Sequence, residues 1–194
     1  MKRKIFREDI LDAGQELMFI NGYNATGIKQ ITDHVSIPKG SFYNHFENKE
    51  AFALEVLTRY CERGIAYHKQ SLLLDKSISP LERLKSMYQT MVSSYMQGGY
   101  KLGCMMSNFS AELGDTNENF RKILEQEFSE IQEIIKNVID EAKTLKQINQ
   151  NIDSETIASF ILNSWHGALI RMKSSSNDKP LQGFLNLTFG QILA

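Results

Sequence analysis

Between residues 38 and 50 the chain carries Lys39, Ser41, Tyr43, Asn44, His45 and Lys49 almost back to back. Lysine reaches the acceptor edge of guanine, and serine or asparagine hydrogen-bonds base edges. Tyr43, His45 and Lys49 suit phosphate oxygens, which fix register without reading sequence. Gly40 has no side chain, so backbone can come close to a ligand there. Thr26, at the start of the preceding predicted helix, offers a hydroxyl and free amides to a further phosphate. This is the chemistry of a duplex groove. Catalytic patterns are missing from the sequence: there is no Gly-x-Ser-x-Gly elbow, no phosphate-binding glycine loop and no His-Glu-x-x-His zinc helix. His34, His45, His68 and His166 lie far apart, without metal-ligand spacing. No enzyme, no cofactor and no metal is expected.

The elements that must position these residues are all helical. Phe6, Ile10, Ala13 and Leu17 make one apolar stripe, and Asn21-Gly22 ends it. Thr26 is expected to cap a second helix, with Ile28, Ile31 and Val35 facing inward. Phe42 and Phe46 stand four apart, so both can enter the module's core while the polar side chains between them face out. Asn48 offers the cap of a long helix using Phe52, Val56, Leu57 and Tyr60. Ser79-Pro80-Leu81-Glu82 reads as a capping box with proline in the first turn. Gly98, Gly99 and Gly103 break the pattern. A long helix then runs from Phe120 through Leu124, Phe128, Ile131, Ile135, Val138 and Ala142 to Leu145. Asp153 or Ser154 caps the next, which carries Ile157, Ile161, Trp165 and Met172. Residues 174–180 read as a polar loop, and Leu181, Phe184, Leu185, Phe189 and Ile192 as a last apolar helix. The chain is expected to be all-α.

Bulk properties set limits. With 194 residues, 42% hydrophobic and 23% charged, the chain can bury a substantial core. A net charge of −1 gives no global nucleic-acid signature, so any positive face must be local. Residues 1–50 hold seven basic side chains (Lys2, Arg3, Lys4, Arg7, Lys29, Lys39, Lys49) against seven acidic ones. The basic ones cluster on the N-terminal arm and the groove-facing elements. The basic start lacks an apolar stretch, no segment has eighteen consecutive apolar residues, and there are two cysteines. No signal peptide, no membrane contact and a cytoplasmic location are expected.

From Gly22-Tyr23 through Thr26, Ile31, Pro38-Lys39-Gly40-Ser41-Phe42-Tyr43-Asn44-His45-Phe46 to Lys49-Glu50, the sequence closely resembles the DNA-binding domain of the TetR/AcrR family. The likeness covers roughly residues 5–60. It implies an N-terminal three-helix helix-turn-helix DNA-binding domain, residues 1–48. A long helix joins this to a helical ligand-binding and dimerisation domain, residues 49–194. It also implies a homodimeric repressor, released from a near-palindromic double-stranded operator by a small-molecule effector. The alternatives are a thiol-based repressor that senses electrophiles or oxidants through Cys104, or a transcriptional activator of the same fold. Lys39, Ser41 and Asn44 fall at base- or backbone-reading positions, and Thr26, Tyr43, His45 and Lys49 at phosphate contacts. Ile37-Pro38 departs from the Val-Ser of many members and removes one hydroxyl.

Residues 154–174 and 180–193 are the helices expected to pair with their copies as a four-helix bundle. An effector pocket between helices would be largely apolar, with few polar groups. Met91, Tyr95, Cys104, Phe109, Trp165 and His166 are the candidates. Cys104 follows Gly103 in a segment that resembles one subset of the family, some of whose members sense electrophiles through a thiol. A helix N-terminus and Lys101 would lower its pKa.

Overall fold

The computed structural model describes residues 6–148 and 151–193. In chain order the elements are α1 (Arg7–Asn21), α2 (Ile28–His34), α3 (Lys39–Phe42), α4 (Lys49–Lys69), α5 (Pro80–Gln97), α6 (Met105–Leu113), α7 (Glu118–Thr144), α8 (Ser154–Ser175) and α9 (Lys179–Leu187). Wider π turns extend α4 over Gln70–Leu74 and α9 over Thr188–Ile192. No strand occurs among the described residues. The all-α expectation holds.

Local signals set most helix starts. The Asn48 carboxamide accepts from the Ala51 amide at 2.8 Å. Ser79 Oγ accepts from the Glu82 amide while Glu82 reaches back to the Ser79 amide, both at 3.3 Å. Asp153 accepts from the Thr156 amide at 2.9 Å. These helix starts match the sequence reading.

Four details differ from it. Phe6 is 55% exposed and stands outside α1, so the inward stripe starts at Ile10. Gly27, not Thr26, is the residue capping α2, because the Thr26 hydroxyl turns back to the α1 end. Leu145 is exposed beyond the end of α7, where the helix has already stopped at Thr144. Pro180 lies inside the first turn of α9 rather than in a loop, a position where its missing N–H costs nothing.

The chain forms two units. The first comprises the residues up to Arg63 together with Met105–Leu124; the second comprises Gly64–Cys104 and Glu125–Ala194. In the first, Phe42, Phe46 and Phe52 stack edge-on with centroids 4.7–5.2 Å apart. Phe52 presses so closely on α1 that a Cβ on Gly14 would lie 2.2 Å from its ring tip. In the second unit, Tyr88, Trp165 and Phe184 form a buried aromatic cluster with centroids 4.9–5.2 Å apart. Arg83, also buried, donates Nε to the Leu72 carbonyl at 2.9 Å and Nη1 to the Ile78 carbonyl at 3.0 Å. Its Nη2 meets the Glu141 carboxylate at 2.5 Å, which Lys76 also reaches at 2.7 Å.

The second unit also contains a histidine pair. His68 is buried, with Nδ1 2.8 Å from the Gly64 carbonyl. Desolvation, and then the charge of His68, push the His166 imidazole down to about 4. An unfolded histidine titrates near 6.5, so the fold favours neutral His166. The stability this represents is complete above pH 6.5 and falls away as the pH drops towards 4. We expect roughly 2 kcal/mol to be lost between pH 7 and pH 5, and less in His166→Gln. Urea midpoints at the two pH values measure it; equal losses in both proteins would remove His166 from the account.

Candidate nucleic-acid interface

α3 is short for its role. It comprises four residues, continued by a turn in which the Phe46 amide bonds to the Phe42 carbonyl at 3.0 Å. So short a helix cannot hold itself in water, and packing must do so. Phe42 and Phe46 supply that packing, at 0% and 4% exposure. The connection from α2 passes through Ser36, whose φ of 58° lies in the left-handed region where glycine is at ease. The Ile37 amide closes that turn onto the Thr32 carbonyl at 2.9 Å.

With its two phenylalanines turned inward, α3 leaves Lys39, Gly40, Tyr43, Asn44 and His45 exposed and Ser41 half-buried. A Cβ at Gly40 would meet nothing within 4 Å, so the backbone there is open. Six of the eight predicted contact residues therefore share one accessible surface. Thr26 does not. Its side chain is fully buried, donating to the Gly22 carbonyl at 2.7 Å and the Leu17 carbonyl at 3.3 Å. The hydroxyl expected to meet a phosphate instead ties the α1–α2 turn together. Lys49 is half-buried: its ammonium lies 4.2 Å above the Tyr23 ring and 3.5 Å from the Asn24 carbonyl. Burial lowers its pKa, against the opposing pull of Glu112.

The charge pattern sharpens in the same way. Arg59 of α4 pairs with Glu8 and Asp12 of α1, each at 3.2 Å, which neutralises part of the acidic first helix. Arg7 is spent on Glu55, with its guanidinium 4.6 Å from the Phe46 ring centroid, and Lys29 meets Asp33 at 2.5 Å. Lys2, Arg3 and Lys4 of the expected basic arm lie outside the described residues. Lys39 is left as the exposed cation of α3.

One residue that holds the α1–α2 turn carries no signal near it in the sequence. Glu112 of α6 accepts from the Tyr23 amide at 2.9 Å and the Asn24 amide at 2.6 Å. Its placement depends on contacts almost ninety residues apart.

A short outward-facing polar helix on an aromatic core, in a helical chain of this length, has close counterparts. Residues 10–56 match the model of bacterial regulatory proteins of the tetR family, and residues 80–187 match the tetracyclin repressor-like C-terminal domain. The chain belongs to the TetR family. Its members are transcription regulators that bind DNA, not enzymes, and that class applies to this chain. The HTH-type transcriptional repressor DhaR of Mycobacterium sp. (strain GP1) is 32% identical over all of this chain and 95% of its own length. The regulatory protein TetR from Rhodobacter sphaeroides superposes with a TM-score of 0.88 at 28% identity, over 96% of this chain and 98% of that one. A cysteine mutant of CifR, solved with a 26 bp double-strand operator DNA, shares the fold at TM-score 0.83 and 18% identity, over 99% of both chains.

Of the six candidate effector residues, all but Phe109 belong to the second unit. Tyr95 and Trp165 approach with ring centroids 6.2 Å apart, and the charge of Cys104 adds to the burial that raises the Tyr95 phenol. His166 packs instead against Phe128, with centroids 5.1 Å apart, on a cleft of about 260 Å³ shared with Glu125, Ser129, Gln132, Leu162 and Asn163. Met91 is half-buried on α5. Phe109 belongs to the first unit, packed between Tyr23 and Phe120 at 6.4 and 5.7 Å.

Proposed function

We propose that this TetR-family regulator is a homodimeric repressor of a near-palindromic operator, released by a small-molecule effector in the cytoplasm. The observation that carries the reading is the exposed polar face of α3 over buried Phe42 and Phe46. Lys39, Ser41 and Asn44 read base edges, Tyr43 and His45 hold phosphates, and Gly40 lets the backbone approach. Lys49 serves the phosphates from above Tyr23, while Thr26 keeps a structural task. Residues 1–48 form the DNA-binding domain and 49–194 the ligand-binding and dimerisation domain. The DhaR relative is named a repressor, and a fold relative was captured on operator DNA.

The dimer reading is supported by α8 and α9. Phe160 and Ile170 on α8 are 39% and 56% exposed, and Leu187 on α9 is 51% exposed. Gly167 and Gly183 lie open beside them. An apolar face with flat glycine positions suits an isologous two-fold contact. Such a dimer presents two α3 helices about 34 Å apart, one turn of DNA. For the effector, Tyr95 with Trp165 and the His166 cleft are two supported positions. Cys104 is buried at the start of α6, which supports a packed thiol over a sensing one. Among the described residues, no helix is long and apolar enough to cross a membrane.

The test selects duplexes from a random pool and measures their affinity at several salt concentrations. Lys39→Ala is expected to weaken binding and relax discrimination at one base position by about 1–3 kcal/mol. Tyr43→Ala is expected to weaken binding to all duplexes alike. Unchanged affinity in both variants would remove α3 from the interface.

A further inference from the structure

Within the first unit, the α6–α7 corner grips the N-terminal helices at three points. The Tyr23 ring is edge-on to Phe109 of α6 and Phe120 of α7, at 6.4 and 5.4 Å. Asn119 of α7 donates to Glu50 of α4 at 2.8 Å. The third point is Glu112, whose two carboxylate oxygens take the two consecutive amides of Tyr23 and Asn24. The chain makes room for this. Gly22 has φ +84°, and a Cβ there would stand 2.8 Å from Glu112 Oε2. That angle favours glycine, and the missing side chain leaves the carboxylate undisturbed where it is. Lys49 completes the arrangement, its ammonium over the Tyr23 ring and near the Asn24 carbonyl.

We propose that Glu112 is a positioning residue for DNA binding: its clasp on the Tyr23 and Asn24 amides fixes the α1–α2 turn and, through Tyr23, the phosphate-facing Lys49. The clasp rests on the DNA-binding reading given above and adds to it a role for α6. Displacing the C-terminal end of α6 withdraws two charge-assisted hydrogen bonds from the turn at once. The Lys49 ammonium then loses both its platform and the carboxylate that offsets its desolvation. Base-reading Lys39, Ser41 and Asn44 are untouched, so the loss falls on all duplex sequences alike.

Glu112→Gln tests this in the full chain. An amide can accept from one of the two N–H groups but turns its own NH2 towards the other. The expected result is amide hydrogen exchange at least tenfold faster at Tyr23 and Asn24, with the amides of α4 unaltered. Affinity for selected and scrambled duplexes is expected to fall together, by roughly tenfold. Faster exchange at both amides with parental affinity would overturn the proposal, because the clasp would then be structural only. Unchanged exchange would overturn it too, since no clasp would exist. If Glu112→Gln does not fold, Glu112→Asp is read by the same two criteria, because it keeps the charge but falls one methylene short. A parent protein that binds no duplex from the pool would instead bring down the DNA reading itself.

Discussion

Phe42→Ala is expected to destabilise the protein by about 3–5 kcal/mol, the range for removing a buried phenylalanine. Phe42 has no exposed surface and touches three rings, those of Tyr43, Phe46 and Phe52, with centroids 5.1–5.5 Å away. The void left behind cannot close easily, because Phe52 is wedged against Gly14 on its far side. Function should fail before the fold does. α3 is too short to persist without its anchor, so duplex affinity is expected to vanish under conditions where α5, α7 and α8 still give a full helical signal. Thermal unfolding and duplex titration on the same sample separate the two effects. Phe42→Leu fills most of the space and should recover more than half of the loss. A cost below 1 kcal/mol for Phe42→Ala would contradict the packing described for α3.

Arg83→Met is expected to cost about 3 kcal/mol, although it replaces a charge with an apolar group of similar length. The guanidinium is the partner of two backbone carbonyls, Leu72 and Ile78, and methionine leaves both without it. An orphaned buried acceptor costs about 1–3 kcal/mol; the Leu72 carbonyl is buried and the Ile78 carbonyl partly so. The third partner matters less, since Glu141 is partly exposed and keeps Lys76. Arg83→Lys retains the charge but cannot supply three diverging donors, so an intermediate loss is expected. Acid should narrow the difference. Hydrogen bonding from Lys76, and then from Arg83, holds the Glu141 carboxyl below its usual range against the effect of burial. A carboxylate lowered in the fold contributes stability above its unfolded value near 4.3, and that contribution is lost as the pH falls through the folded value. Urea midpoints of parent and variant at pH 7 and pH 3 are therefore expected to converge. A constant gap would show that Glu141 has no share in it.

What could be read without coordinates was whatever depends on near neighbours. Asn48, Ser79 and Asp153 cap helices through bonds three residues long; the first two were legible, and the third was one of two adjacent candidates. The four-residue spacing of Phe42 and Phe46 determines which side of this segment is buried, and so which side is left facing outward. Thr26 shows where such reading stops. Its type and position fit a phosphate contact as well as a cap, and only the fold of the turn decides that the hydroxyl faces Gly22 and Leu17. Arg83 gave no sign of burial, because arginine is usually exposed and its three partners come from separate segments. The effector candidates were chosen by composition. Composition cannot distinguish Trp165, which faces Tyr88, Tyr95 and Phe184, from its neighbour His166, which faces Phe128.

The residues leading into α6 carry a further consequence. Gly99, Tyr100, Leu102 and Gly103 all have positive φ, between 62° and 76°. Tyr100 and Leu102 each bear a left-handed penalty of roughly 1–2 kcal/mol that glycine escapes. What balances it is contact on either side: Cys104 is buried, and Tyr95 donates to the Gly103 carbonyl at 3.0 Å. Fold energy is therefore unevenly distributed here, with a stretch that gains by relaxing held in place by a stretch that gains by staying. Local opening should start in this segment well before global unfolding, and a protease would find its first foothold there.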